Sequence, residues 1–142
     1  MYLPIVLEWR KLIPITEYKL TILPGAYDFP YRLREYVKDY MVKLISLEDC
    51  AIVADFGSEK FAAGSKELLS PLISRLRGYR KGRIFTFDRY PVKNLYESCQ
   101  LTIRANKAKS EAVKRLLDEL TQGIAAFGGR IKETPAQLLT GR

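Results

Sequence analysis

The chain of 142 residues carries 24 Lys and Arg against 16 Asp and Glu and contains no histidine, so its net charge is +8 at pH 7. This length fits one domain with an ordinary hydrophobic core, and the basic excess favours an acidic partner, most often nucleic acid. The absence of histidine excludes the usual general base and the usual zinc ligand, which leaves carboxylates, lysine and tyrosine for any catalysis.

The cysteines and the apolar runs bear on the cellular compartment. Cys50 and Cys99 are too few for a Cys-rich zinc site, and their number fits a reduced intracellular protein with buried thiols. Only five residues are Asn or Gln, which is typical of thermophilic proteins. In a thermophilic source a Cys50–Cys99 disulfide is an alternative to free thiols, because intracellular disulfides are more common there. Residues 1–7 lack the basic region of a signal peptide, and no run reaches the ~18 apolar residues of a membrane span. We therefore expect a cytoplasmic protein without a membrane segment.

The first predicted elements are two strands and a helix. Residues 2–7 are apolar but contain Pro4, which cannot donate to a sheet, so an edge strand is expected there. Residues 17–22 alternate between polar and apolar side chains, as a strand with one wet face does. A helix follows, with Pro30 in its first turn and apolar residues at three- and four-residue spacing until about Leu47.

The middle of the chain predicts a hairpin and a second helix. Residues 50–54 form an unbroken apolar run, which indicates a strand buried on both faces at the centre of the sheet. A tight turn then leads into a short strand over residues 60–63, the alternative being a helix that begins directly after the central strand. Ser65 or Ser70 caps the next helix, which Gly78 ends.

The last third of the chain predicts strand, helix and strand. Residues 99–104 alternate, so that Gln100, Thr102 and Arg104 share a face that is either wet or ligand-facing. An amphipathic helix starts at Asn106 or Ser110. A short final strand over residues 130–133 precedes a tail over residues 135–142.

This order of elements predicts an α+β fold. The sequence β-α-β-β-α-β, which defines the ferredoxin-like two-layer sandwich, is found over residues 50–133 or, in another phase, from Glu17 onward. We expect one such domain over residues 1–134, with an additional N-terminal strand or hairpin and helix. Helices would cover one face of a largely antiparallel sheet and leave the other face for a ligand.

One stretch, residues 75–90, has a composition that suits nucleic acid. This basic aromatic segment, RLRGYRKGRIFTFDRY, contains six Arg or Lys residues and one Asp. A glycine-containing turn at Gly82 leads into a strand over residues 83–87. Cations replace the counterions of a sugar-phosphate backbone, while flat side chains stack on bases.

Within this segment, residues 81–87 (KGRIFTF) resemble the RNP1 signature of RNA-recognition motifs. That signature has a basic residue, a glycine and then alternating aromatic residues. Arg83 stands where the signature has an aromatic residue, and no matching RNP2 strand is found. The resemblance implies that Phe85 and Phe87 stack on RNA bases, and the alternative is a central strand on which both lie in the core.

We therefore expect a non-catalytic protein that binds nucleic acid, RNA in particular, as a small subunit of a larger ribonucleoprotein, with no cofactor. Two rivals are an interaction subunit that meets an acidic protein and a metal-dependent nuclease that uses Asp55, Glu59 and Asp88. The expected phosphate contacts are Arg75, Arg77, Arg80, Lys81, Arg83 and Arg89, and the expected stacking residues are Tyr79, Phe85, Phe87 and Tyr90.

Overall fold

The computed structural model describes residues 14–23, 29–73, 80, 82–87, 89 and 98–139, with side chains from residue 33 onward in the first helix. These residues form a mixed α+β structure with six strands and three helices. A 3-10 turn at Lys107–Lys109 precedes the last helix. The elements are β1 (Ile15–Leu23), α1 (Phe29–Ile45), β2 (Cys50–Asp55), β3 (Lys60–Gly64), α2 (Lys66–Leu69), β4 (Phe85–Phe87), β5 (Cys99–Asn106), α3 (Ser110–Ala126) and β6 (Arg130–Leu139).

The six strands form one antiparallel sheet in the order β4-β3-β2-β5-β1-β6. The prediction of a central strand at residues 50–54 is confirmed, since β2 has a neighbour on each side. The ferredoxin-like arrangement is not reproduced in either of the two predicted windows. That arrangement places the first and fourth strands of the unit side by side, but among the described strands β2 pairs with β3 and β5 rather than β6, and β1 pairs with β5 and β6 rather than β4.

The last strand is longer than the sequence analysis predicts. β6 runs from Arg130 to Leu139, and Leu139 pairs with Ile15 at the start of β1. Residues 135–139 therefore continue a strand instead of starting the predicted tail. A register shift between Glu17 and Lys19 accommodates the stretch that contains Pro135, as expected for a proline on an edge strand.

The region between β3 and β5 also differs from expectation. The helix that begins after Ser65 spans only Lys66–Leu69, while the predicted end at Gly78 lies outside the described residues. β4 has three residues and pairs with β3 at the end of the strand order, so it is not a central strand. The predicted edge strand at residues 2–7 also lies outside the described residues.

The main core lies between the sheet and the helices α1 and α3. Strand alternation directs Tyr18, Leu20 and Ile22 of β1 to this side, and the apolar stripes of both helices pack against them. The buried helix residues are those that the three- and four-residue spacing predicts, among them Val37, Met41, Leu44, Val113, Leu117, Leu120 and Ile124. None of the described helices combines the length and apolar character that crossing a membrane requires.

A smaller apolar cluster lies on the opposite face of the sheet. Leu69 of α2 and Ile73 pack there on Ala51 and Ala62. Beside this cluster Gly64 allows the end of β3 to approach β2 closely, since its φ is +125° and a Cβ would overlap backbone atoms of Cys50 and Ala51. The second face is therefore covered by α2 near β2 and β3.

Candidate nucleic-acid interface

Two of the predicted phosphate contacts lie on one tight turn before β4. The backbone N–H of Arg83 donates to the carbonyl oxygen of Arg80 over 3.3 Å, and Gly82 adopts a φ of +82° between them. Both arginine side chains are exposed. Within the described residues neither makes an ion pair, so the turn presents two cations to solvent.

The two phenylalanines of β4 lie on the sheet face that α1 and α3 do not cover. Phe85 pairs with Ala62 and Phe87 pairs with Lys60 in the antiparallel register, and residues directly opposite each other share a face. Both rings are half-buried. Phe87 packs against the smaller apolar cluster beside Leu69, so part of its surface supports the fold and only the remainder can meet a ligand.

Arg89 is tied to the β2–β3 hairpin by an ion pair. Its Nε lies 3.1 Å from Glu59 Oε2, and Arg34 Nε lies 3.8 Å from the other Glu59 oxygen. Arg34 also donates to Ser58 Oγ over 3.2 Å and stacks 4.9 Å from the ring centroid of Phe56. Arg89 is 79% exposed, yet this carboxylate opposes its charge, so we expect it to contribute less to phosphate binding than Arg80 or Arg83.

The other predicted contacts, Arg75, Arg77, Tyr79, Lys81 and Tyr90, lie outside the described residues. Their roles stay predictions.

Two of the three carboxylates named for the nuclease rival, Asp55 and Glu59, serve the β2–β3 hairpin. Asp55 Oδ1 accepts a hydrogen bond of 2.8 Å from the backbone N–H of Gly57, and Lys60 Nζ lies 4.0 Å from Asp55 Oδ2. Glu59 is held between two arginines, and Asp88 lies outside the described residues. No group of three or more Cys, Asp or Glu side chains suited to a metal ion exists in the part of the chain that the structure describes. Asp55 therefore acts as a turn residue.

A set of cations that local sequence patterns do not reveal lies on the same sheet face, on β1 and β6. Register places Lys19 opposite Thr102 on one side and Thr134 on the other, while Lys132 lies opposite Thr21. Arg130 and Lys132 are exposed, and Lys19 is 60% exposed. Alternation in β5 already assigned Thr102 to this face, but the placement of β6 beside β1 is a long-range pairing that periodicity does not reveal.

A buried ion pair also lies on this face. Arg104 Nε donates to Glu17 Oε2 over 2.7 Å, and the two residues are directly opposed in the β1–β5 register. Glu17 is only 6% exposed, whereas Arg104 is 23% exposed. Lys19 Nζ lies 3.7 Å from the second carboxylate oxygen. The pair fixes the local register and leaves less of the Arg104 charge for a ligand.

The two cysteines are buried, free thiols, as the sequence predicts. Cys50 pairs with Ala105 and Cys99 pairs with Ile22, so the cysteines lie at opposite ends of neighbouring strands, too far apart for a disulfide. Burial raises the pKa of the Cys50 thiol to about 11 and also raises the pKa of Cys99. Both thiols therefore stay protonated at neutral pH and are poor nucleophiles.

No protein-family model, curated protein or solved structure matches this chain. Its function is therefore proposed from its own side chains and their placement.

Proposed function

We propose that the protein binds single-stranded nucleic acid, RNA in particular, without turning it over. The observation that carries this proposal is the exposed Arg80–Arg83 turn, which leads into the half-buried rings of Phe85 and Phe87. Cations beside partly exposed aromatic rings suit a ligand that has both phosphates and flat bases. The resemblance of residues 81–87 to RNP1 supports the same ligand.

The polarity of the surface favours nucleic acid over an acidic protein. Protein interfaces have a core enriched in aromatic and other apolar side chains. In the described residues the large hydrophobic side chains that are well exposed are Val42 and Leu138, and they lie on α1 and β6. The face that carries Phe85 and Phe87 instead offers Gln100, Thr102 and several cations. Such side chains are typical donors to phosphate, sugar and base atoms.

A ferredoxin-like unit with an insertion is part of the proposal. The elements β1, α1, β2, β5, α3 and β6 follow the order β-α-β-β-α-β, and their strands are arranged as β2-β5-β1-β6. That order agrees with the ferredoxin-like arrangement, in which the first and third strands lie side by side at the centre. The segment β3-α2-β4 would then be an insertion that widens the sheet and carries the basic aromatic segment.

The cellular setting also belongs to the proposal. Two buried free thiols are suited to a reducing compartment such as the cytoplasm. Membership of a larger ribonucleoprotein is a further part of the proposal and depends on RNA binding. Co-purification of RNA with the protein from its native cells would test this membership.

Titration of a labelled single-stranded oligouridylate of ~12 nucleotides tests the proposed binding. We expect binding that Arg80→Ala/Arg83→Ala weakens by roughly tenfold, since two phosphate contacts are lost. Lys114→Ala/Arg115→Ala is the matched control, because these exposed residues lie on α3, on the other side of the sheet. Equal loss in both variants would show a response to net charge alone. No binding by the wild type, with capture of an acidic protein instead, would favour the interaction subunit.

A further inference from the structure

A continuous row of side chains crosses the sheet on the face without α1 and α3. Each register pair places its two residues on one face, and the successive pairs connect all six strands. The members of this cross-sheet row, from β4 to β6, are Phe87, Lys60, Asp55, Gln100, Thr21 and Lys132. With five interstrand spacings, the row is about 24 Å long.

Solvent reaches every side chain of the cross-sheet row. Each of its six side chains is exposed or half-exposed. The next row, which contains Ala62 and Val53, is instead obstructed because Ala62 is fully buried beneath α2. The cross-sheet row is therefore the route along which an extended ligand can cross the sheet.

Cations dominate the cross-sheet row and its flanks. Lys60 and Lys132 belong to the row, and Lys19 and Arg130 lie beside it on β1 and β6. Glu17 lies 3.7 Å from Lys19, but Arg104 already pairs with that carboxylate, so the three residues together keep a positive charge. Asp55 is the row's acidic member, and Lys60 and the backbone N–H of Gly57 both oppose its charge. Gln100 and Thr21, at the centre, supply an amide and a hydroxyl that can donate to or accept from sugar and base atoms.

We infer that the single strand bound at the Arg80–Arg83 turn continues along the cross-sheet row, with its phosphates on Lys19, Arg130 and Lys132. This extends the proposed function and rests on it. A length of about 24 Å accommodates on the order of four nucleotides, the lower end of the site sizes found on comparable sheets. An extended single strand fits a flat row of this width, whereas an acidic protein would need apolar contacts that the row lacks beyond Phe87.

The test compares two charge-matched triple variants on a labelled ~12-nucleotide oligouridylate. Lys19→Gln/Arg130→Gln/Lys132→Gln removes the cations of the sheet face, and Lys43→Gln/Lys114→Gln/Arg115→Gln removes three exposed cations of the helical layer. Losing three single-strand phosphate contacts should reduce the slope of log Kd against log salt by about 2. The helical-layer variant should keep the wild-type slope. Thermal melting checks that both variants are folded, and Lys132→Gln alone should lower the slope by about 0.7.

Three other outcomes would overturn this inference, and they differ in what they imply for the proposed function. If the sheet-face variant binds like the wild type while Arg80→Ala/Arg83→Ala loses binding, the strand does not cross the sheet but the proposed function stands. Equal slopes in the two triple variants would show a response to net charge without a defined path. If the wild type binds no oligonucleotide, the inference and the proposed function fail together.

Discussion

Arg104 and Glu17 face each other across β5 and β1 with 2.7 Å between Nε and Oε2, and the carboxylate is almost fully buried. A buried carboxylate without a partner would strongly destabilise the folded state, because burial removes its hydration. The pair therefore favours the observed register between β1 and β5, because any other register would separate Glu17 from Arg104. It lies on the face that we assign to the ligand, so its integrity is needed to shape that surface.

We predict that Arg104→Ala lowers the free energy of unfolding by roughly 2–4 kcal/mol. This is somewhat less than for a fully buried pair, because Arg104 is partly exposed and Lys19 lies 3.7 Å from the carboxylate. Urea denaturation measures the change, and Arg115→Ala on the exposed side of α3 should stay within about 0.5 kcal/mol of wild type. The double variant Glu17→Met/Arg104→Met should be more stable than Arg104→Ala. A loss from Arg104→Ala no larger than that of the control would show that the pair is energetically unimportant.

Tyr40 provides a test of an unsatisfied hydroxyl. It is buried in the main core, and among the described residues its hydroxyl has no hydrogen-bond partner. Burial also raises the pKa of this phenol. Tyr40→Phe should therefore leave stability unchanged or raise it by about 1 kcal/mol, since it removes a desolvated polar atom.

Tyr36→Phe is the matched comparison for Tyr40→Phe. The Tyr36 hydroxyl donates to the carbonyl oxygen of Glu119 over 3.2 Å, and its ring packs edge-on against Phe127 at 5.6 Å. Deleting this hydroxyl should cost about 0.5–1 kcal/mol. Thermal melting compares the stability of the two variants. A greater loss of stability from Tyr40→Phe than from Tyr36→Phe would show that the Tyr40 hydroxyl does have a stabilising partner.

Phe87 divides its surface between the smaller cluster and the proposed ligand. Because the ring is half-buried, we expect Phe87→Ala to cost roughly 1–3 kcal/mol of stability, less than the roughly 3–5 kcal/mol of a fully buried phenylalanine. Phe61→Ala is that reference, since Phe61 is 2% exposed. Oligonucleotide titration should also show weaker binding by Phe87→Ala, roughly 1–3 kcal/mol if the exposed part stacks on a base. Undiminished binding would assign Phe87 to the fold alone.

Cys50 predicts an alkaline dependence of stability. Burial, reinforced by nearby Asp49 and opposed by Lys109, raises the pKa of its thiol from 9.0 to about 11. The folded state therefore holds this proton more tightly than the unfolded state. The stability that results is complete below pH 9 and is lost as pH rises through about 11.

The loss attributable to Cys50 should be about 2 kcal/mol between pH 9 and pH 11. Urea denaturation at the two pH values measures it, with Cys50→Ala as the control that removes the thiol. Lysines and tyrosines titrate in both proteins, so the difference between their pH dependences isolates Cys50. Identical pH dependences would mean that the thiol ionises as readily in the folded chain as in the unfolded one.

Local periodicity predicts much of the fold but not its long-range pairing. Alternation in β1 and β5 and the apolar stripes of α1 and α3 identify both sides of the main core, because each pattern shows which face of its own element is buried. None of these patterns shows which strands pair. The pairing of Ile15 with Leu139 is not encoded in either segment alone. For the same reason local patterns predict a tail over residues 135–142, whereas pairing with β1 keeps residues 135–139 in an extended strand.

The residues of the candidate site can likewise be predicted only in part from the sequence. The high density of basic residues predicts a binding segment that contains Arg80 and Arg83, and both side chains are exposed. Lys19 and Lys132 were missed because they lie more than a hundred residues apart in the chain and become neighbours only through register. The ion pair between Arg89 and Glu59 was also unforeseen, since the two residues come from different strand ends.

The most direct test of nucleic-acid binding is the salt dependence of oligouridylate affinity for the wild-type protein between ~50 and ~200 mM salt. Neutralised phosphates release counterions, and each single-strand contact contributes about 0.7 to the slope of log Kd against log salt. Arg80 and Arg83 alone therefore predict a slope of about 1.4, and contacts on the sheet face would increase it. A slope near zero, or no binding at ~50 mM salt, would contradict the proposal that this protein binds nucleic acid.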